Sequence, residues 1–221
     1  NKGCVLSHIN PLAMTREKGL PMPYSLFTFI PAFWGSGASV LLLAAFHSSE
    51  TLISTMQPFS VELLVELIQR YKINVLSLAP AQLYLFLNSP ISNAADKSTI
   101  KVVLTVGSMI TQQVRDKFKE ILPGRFLKIM YGLTEIQLTS MLPGDSIDGL
   151  TVGKILPNNE IKIVNADGEA LELGQIGEIC GKSESRFSGY FENGEATRAC
   201  TTSDGFLKTG DLGYIDENGN V

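Results

Sequence analysis

The hydrophobic and polar positions of this chain fall into two textures. From residue 24 to residue 130, short apolar runs alternate with stretches whose apolar residues recur at three- and four-residue spacing. Leu26–Ile30, Leu52–Met56, Asn74–Ala79, Ile100–Val106 and Phe126–Met130 read as strands. Between them, Leu63, Leu64, Leu67, Ile68 and Tyr71 mark the buried face of a helix that Ser60 caps and Glu62 favours in its first turn. A short helix over Ala81–Asn88 follows Pro80, and a polar loop holds Asn93–Ser98. Thr111 caps a second amphipathic helix, which runs to Ile121 and stops before Pro123-Gly124. The small-residue segment that ends at Phe46 reads as a buried helix.

Beyond about residue 150 apolar and polar residues alternate around turns. Ile161–Val164, Ile176–Gly181 and Leu207–Ile215 have strand character, with turns at Ala166-Asp167-Gly168 and Glu217-Asn218-Gly219. Strands that alternate with helices imply a parallel sheet covered by helices. The expected fold class is therefore α/β: a parallel sheet flanked by helices, followed by a smaller antiparallel β-rich subdomain. The division falls near Leu150, giving parts at 1–150 and 151–221 with no Ser- or Pro-rich linker and no internal repeat.

Composition narrows the function classes. A hydrophobic share of 44% in 221 residues supports a packed core. A net charge of -4 leaves no basic footprint for nucleic acid, so an anionic substrate has to be met by local dipoles and a metal. Cys4, Cys180 and Cys200 follow no metal-ligand spacing and read as reduced thiols of an intracellular protein, with Cys4 and Cys180 as small buried hydrophobes. His8 and His47 are too few for a histidine-rich metal site. Gly19–Ser49 carries no acidic or basic residue, but prolines and glycines interrupt it, and the apolar run Val40–Phe46 is too short to span a membrane.

In an open α/β sheet, ligands bind beyond the carboxyl ends of the strands. Val106-Gly107-Ser108 and Tyr131-Gly132-Leu133-Thr134-Glu135 both occupy such ends. Gly107 lets backbone approach a flat base, and Tyr131 offers it an aromatic face. Thr134 and the amides beside it can donate to a phosphate oxygen, and Glu135 is a hard oxygen ligand suited to Mg²⁺. Asp211, in the tight turn Thr209-Gly210-Asp211, can accept hydrogen bonds from a ribose diol. A plainer alternative makes Thr134-Glu135 the cap and first-turn acid of a helix, and Thr209-Gly210-Asp211 an ordinary turn.

The combination resembles the adenylate-forming (AMP-binding) enzyme superfamily, in its branch of acyl-CoA synthetases, 4-coumarate–CoA ligases and luciferases. Tyr131 to Glu135 matches the family's Tyr-Gly-x-Thr-Glu. Gly177-Glu178-Ile179, Gly181, Gly189-Tyr190-Phe191 and Thr197 match a second block, and Thr209-Gly210-Asp211 with Asp216 and Gly219 a third. The resemblance implies that ATP and a carboxylic acid, fatty or aryl, give an acyl-adenylate, whose acyl group passes to coenzyme A. It places Thr134 on the AMP phosphate, Glu135 on Mg²⁺ and Asp211 on the ribose. Tyr131, Gly132, Leu133, Gly107 and Ser108 would frame the nucleotide, and Phe33, Trp34, Gly35 and Ser108 the acyl pocket.

The resemblance also implies boundaries. Lys2-Gly3 looks like the end of a phosphate loop, with Asn1 in place of its proline and the rest of the loop upstream. A small lid domain would follow Val221, so the chain reads as an internal fragment, inactive alone. Trp34 stands where many relatives carry histidine; pocket wall and core aromatic are both open to it. Val106 puts a branched side chain where relatives often have none. A non-catalytic relative, a luciferase-type oxygenase and a structural β-module are the alternatives. The family also implies a peroxisomal or otherwise cytoplasmic location and no transmembrane segment.

Overall fold

The computed structural model describes residues 3–6, 24–31, 33–37, 42, 45, 51–141 and 150–221, with backbone alone for 137–139 and 141. The chain forms two compact units: one from Lys18–Met130 and Leu142–Leu150, the other from Asn1–Glu17, Tyr131–Met141 and Thr151–Val221. Strand β1 (Cys4–Val5) belongs to the second unit.

The first unit is built on parallel strands. β2 (Ser25–Thr28), β3 (Thr51–Ser54), β4 (Val75–Ser77), β5 (Val102–Thr105) and the start of β6 (Phe126–Leu133) lie in the order β3-β2-β4-β5-β6. Each neighbouring pair is parallel. Leu52, Leu26, Val75 and Val102 stand in one row across the strands, and Ile53, Phe27, Leu76, Val103 and Leu127 in the next. Successive residues of a strand point to opposite faces, so two buried rows mean that both faces are covered. Leu26, Val75 and Val102 are buried in one row, and Phe27, Leu76, Val103 and Leu127 in the other. This is why the strands read as continuous apolar runs in the sequence.

Helix α1 (Val61–Tyr71) buries Leu64 and Ile68, and Ser60 Oγ accepts the Leu63 N–H at 3.1 Å as its cap. α2 (Pro80–Asn88) starts at Pro80, where the missing N–H costs nothing, and buries Leu83, Phe86 and Leu87. A third helix, α3 (Pro90–Ala94), overlaps the segment expected as a polar loop. Lys97 stabilises its end: the ammonium donates to the Ser92 carbonyl, to Asn93 at 3.2 Å and to Ala95 at 3.1 Å. α4 (Gln112–Ile121) buries Val114, Arg115 and Phe118. Thr111 occupies its cap position, yet its side chain makes no capping hydrogen bond.

The second unit is antiparallel. It contains β7 (Gln137–Met141), β8 (Lys154–Ile155), β9 (Asn159–Val164), β10 (Gly177–Ser183), β11 (Gly189–Tyr190), the short helix α5 (Gly194–Ala199) and β12 (Leu207–Gly213). β9, β10 and β12 form a three-stranded sheet with β10 central. β1 pairs with β11, and β7 with β8. Ile136, Phe187 and Leu207 form an apolar centre, against which Leu133, Tyr190 and Cys200 pack. The expected α/β class, with a parallel helix-covered sheet and an antiparallel β-rich part, is the fold observed. Among the described residues, no helix is long and apolar enough to cross a membrane.

The two helix caps separate by experiment. Ser60→Ala is expected to cost about 1 kcal/mol of stability, whereas Thr111→Ala costs no more than about 0.3 kcal/mol because no cap bond is lost. Urea unfolding of the two variants beside the parent checks the difference.

Candidate functional site

The site is best built from the end of β6. Its last residues are Tyr131, Gly132 and Leu133, and the chain then turns back: the Ile136 N–H donates to the Leu133 carbonyl at 3.3 Å. Thr134 and Glu135 are the two central residues of this turn, and β7 begins at Gln137. The alternative that made them the start of a helix is therefore wrong. A two-residue turn projects both side chains, leaving Thr134 exposed and Glu135 half-buried.

Thr209-Gly210-Asp211 is likewise no ordinary turn. It lies inside β12, where the register against β10 shifts between Glu178–Leu212 and Cys180–Lys208. The extra residues on β12 form a bulge, a device that re-aims a side chain. Gly210 adopts φ +80, which a side chain resists. Its N–H donates to Glu178 Oε1 at 3.1 Å, and the Thr209 hydroxyl donates to the Ile179 carbonyl at 2.8 Å while accepting the Asp211 N–H at 3.1 Å. Asp211 emerges from the bulge exposed but aimed.

The bulge and the end of β6 meet. The Tyr131 hydroxyl donates to Asp211 Oδ2 at 2.7 Å across 80 positions of sequence. Burial, chiefly, pushes the Tyr131 phenol above its ordinary range; Asp211 adds to the push and the Thr209 hydroxyl opposes it. The phenol thus stays a proton donor, and Asp211, held through Oδ2, remains an exposed residue. On the adjoining turn, the Tyr190 hydroxyl donates to Glu135 Oε1 at 2.6 Å. Within this unit, Tyr131, Thr134, Glu135 and Asp211 share one framework.

The other expected site residues lie in the first unit or outside the described residues. Gly107 and Ser108 are exposed in the loop after β5, and Val106 is half-buried. Phe33 is 85% and Trp34 58% exposed, so Trp34 is no core aromatic; its N–H closes a turn on the Pro31 carbonyl at 3.0 Å, and Gly35 is half-buried. Lys2 lies outside the described residues. A cleft between α2 and α4, whose lining includes Tyr84, Asn88, Gln112, Val114, Asp116 and Lys117, contains none of the expected site residues.

Two contributors escape a reading of motifs one at a time. Glu178 fixes the bulge and Tyr190 holds Glu135, and only pairing across 32 and 55 positions brings them in. Their presence in the Gly-Glu-Ile and Gly-Tyr-Phe blocks is the one local signal. No cluster of three or more His, Cys, Asp or Glu able to hold a metal occurs among the described residues. Glu135 suits Mg²⁺ in another way, since that ion is commonly held by one or two carboxylates together with substrate phosphates.

Comparison with known proteins gives the family. The profile of the AMP-binding enzyme family matches residues 1–191. The chain is 31% identical to a probable 4-coumarate–CoA ligase of Dictyostelium discoideum, over 99% of its own length and 41% of that relative's. The luciferase-like enzyme of the nonluminescent mealworm Zophobas morio has a similar structure, with a TM-score of 0.88 and 30% identity over 100% of this chain and 53% of that one. An O-succinylbenzoate coenzyme A synthetase of Bacillus subtilis, solved with ATP and a magnesium ion, superposes with a TM-score of 0.85 and 27% identity over 99% of this chain and 46% of that one. With its profile matched over most of its length and its motifs seated on the bulge and turn described above, the chain belongs to the AMP-binding, adenylate-forming enzyme family.

Proposed function

We propose that this chain carries the nucleotide-facing part of an ATP-dependent ligase that activates a carboxylic acid, fatty or aryl, and passes it to coenzyme A. The observation that carries the reading is the Tyr131–Asp211 hydrogen bond of 2.7 Å, which sets an exposed carboxylate at a fixed place beside the Thr134-Glu135 turn's own strand. The relatives' names point the same way: 4-coumarate–CoA ligase and acyl-CoA synthetase act on acids of aryl and acyl type. The chain spans 41% and 43% of those two proteins, so the activity is that of the complete protein.

In this reading each residue has a defined task. Asp211 accepts the ribose hydroxyls through Oδ1, its other oxygen being tied to Tyr131. The Tyr131 ring borders the adenine, with Gly132 and Leu133 supplying backbone beside it; Gly107 and Ser108 are assigned to the nucleotide on the resemblance of their motif alone. Thr134 donates its exposed hydroxyl to an oxygen of the α-phosphate, where negative charge accumulates as the acid attacks. Glu135 presents a carboxylate oxygen to Mg²⁺, and bound Mg²⁺ withdraws charge from the phosphate oxygens. The acid's carboxylate oxygen bonds to the α-phosphorus, and pyrophosphate leaves with the electron pair of the broken P–O bond. The thiolate of coenzyme A then bonds to the acyl carbon, and AMP leaves. Phe33, Trp34, Gly35 and Ser108 are assigned to the acyl pocket and Lys2 to the phosphates on the resemblance of their motifs.

Asp211→Ala is expected to weaken AMP binding by about tenfold or more, the loss of hydrogen bonds to a charged group. Tyr131→Phe, which frees Asp211 to wander, should weaken it several-fold less. Calorimetric titration with AMP measures both, and unchanged affinity in Asp211→Ala removes the ribose assignment. Pyrophosphate release with a panel of fatty and aryl acids tests the reaction itself. Glu135→Ala should lower the rate by about a hundredfold or more with whichever acid the parent accepts; no release by the complete parent protein with any acid overturns the ligase reading.

A further inference from the structure

Strand β11 is only two residues long, Gly189–Tyr190, yet several elements fix it. β1 pairs with it, Cys4 standing opposite Tyr190. On either side, the Ser188 N–H donates to the Val5 carbonyl and the Phe191 N–H to the Gly3 carbonyl, both at 2.7 Å. From α5 the Thr197 hydroxyl accepts the Tyr190 N–H at 2.9 Å and donates to the Asn193 carbonyl at 3.0 Å. Gly189 takes φ +141, and a Cβ there would stand 3.1 Å from Thr197 Cγ2. The chain could not pass Thr197 this way with a larger residue unless something shifted.

The same segment is referenced to the Thr134-Glu135 turn. The Tyr190 ring packs edge-on against Phe187, with centroids 5.0 Å apart. Phe187 in turn donates its N–H to the backbone carbonyl of Glu135 at 2.7 Å. Both ends of the Tyr190–Glu135 contact are thus set by one residue, and the hydroxyl-to-carboxylate distance of 2.6 Å is that of a strong, charge-assisted hydrogen bond. Burial first, and the Glu135 carboxylate after it, keep the Tyr190 phenol protonated. The ring belongs to the apolar cluster of Ile136, Phe187 and Leu207, but phenylalanine would fill that space as well. What the hydroxyl adds is its bond to Glu135 Oε1.

We infer that Tyr190 is a positioning residue for Glu135: it occupies Oε1 and leaves Oε2 as the oxygen presented to a divalent cation on the nucleotide phosphates. The inference deepens the function proposed above and rests on Glu135 being a metal ligand. An unclamped glutamate samples several rotamers, and each order of freedom lost on binding weakens the ligand. A carboxylate oriented by an outer partner is ordered beforehand, and removal of such partners costs metal sites about 10- to 100-fold in affinity.

The test uses the complete protein carrying this sequence, with ATP, no acid, and Mn²⁺ as the spectroscopic probe by electron paramagnetic resonance. Tyr190→Phe keeps the ring and removes the clamp. It should raise the Mn²⁺ concentration for half-saturation by about tenfold or more, while metal-free AMP affinity stays within about twofold of the parent. Glu135→Gln should raise the half-saturation at least as far, and adding Tyr190→Phe to Glu135→Gln should change it little further, because the hydroxyl acts through the carboxylate. Thr197→Val, which loosens the Tyr190 backbone without touching its ring, should shift Mn²⁺ binding in the same direction and serves if Tyr190→Phe fails to fold. Unchanged Mn²⁺ binding in Tyr190→Phe beside a clear shift in Glu135→Gln overturns the inference and leaves the ligase reading standing. No shift in Glu135→Gln removes the metal role of Glu135, and the inference with it. Equal losses of Mn²⁺ and metal-free AMP binding in Tyr190→Phe, or full additivity with Glu135→Gln, would mean a merely structural role and likewise overturn it.

Discussion

A carboxylate open to solvent is free to wander unless something holds it, and in this protein a tyrosine hydroxyl does the holding twice. Tyr131 holds Asp211 through Oδ2, and Tyr190 holds Glu135 through Oε1. In the first pair the tyrosine is half-buried and the acid exposed, and in the second both partners are half-buried. Burial suppresses the phenols' ionisation and so secures the direction of both bonds, from hydroxyl to carboxylate. The pairing is also crossed in sequence: the first motif supplies one tyrosine and one acid, and each finds its partner in a different later block. Loss of either contact therefore reaches beyond a single motif.

The backbone around these pairs departs from regularity where a side chain must be aimed. β12 inserts its bulge at Thr209-Gly210-Asp211, and β6 ends in the turn that projects Thr134 and Glu135. Such irregularity leaves backbone groups to be satisfied, and the neighbours satisfy them: Glu178 takes the Gly210 N–H, and Thr209 takes the Asp211 N–H. The parallel strands of the other unit show the opposite economy. Their two in-register apolar rows need no polar correction, because helices cover both faces and hydrophobic burial alone fixes the register.

This contrast accounts for what could be read from the sequence. The apolar runs of β2, β4, β5 and β6 and the helical spacing of α1 and α4 are legible because burial imposes a period on the residues that experience it. Helix α3 is not, since five residues complete barely more than one turn and its stabilising partner is the Lys97 ammonium just beyond it. Ser60 and Thr111 look alike in sequence as caps, yet only Ser60 makes the bond. At Thr134-Glu135 local preference serves a helix start and a turn equally well, and the decision lies with β7, whose polar sequence carries no strand signal. The candidate site residues stand out in the sequence as a family pattern. Their tyrosine clamps were not, because contacts across 55 and 80 positions leave no trace in local spacing.

The shortage of metal ligands bears on how the proposed site would fill. Glu135 has one oxygen already engaged, and no cluster of further acids, cysteines or histidines surrounds it among the described residues. A single carboxylate oxygen holds Mg²⁺ weakly against water, because the ion gives up its hydration shell reluctantly. On the proposed reading the remaining ligands come from the nucleotide's own phosphates, so that metal and ATP bind as one unit and neither binds tightly without the other. A rigid Glu135 then matters more than a second acid would: with one protein ligand, its orientation decides where the phosphates lie relative to Thr134. A second carboxylate would bind the ion better, but it would also repel the triphosphate that has to arrive with it. Clamping one acid in place avoids that repulsion, and the short contact from Tyr190 is the means this fold has for doing so.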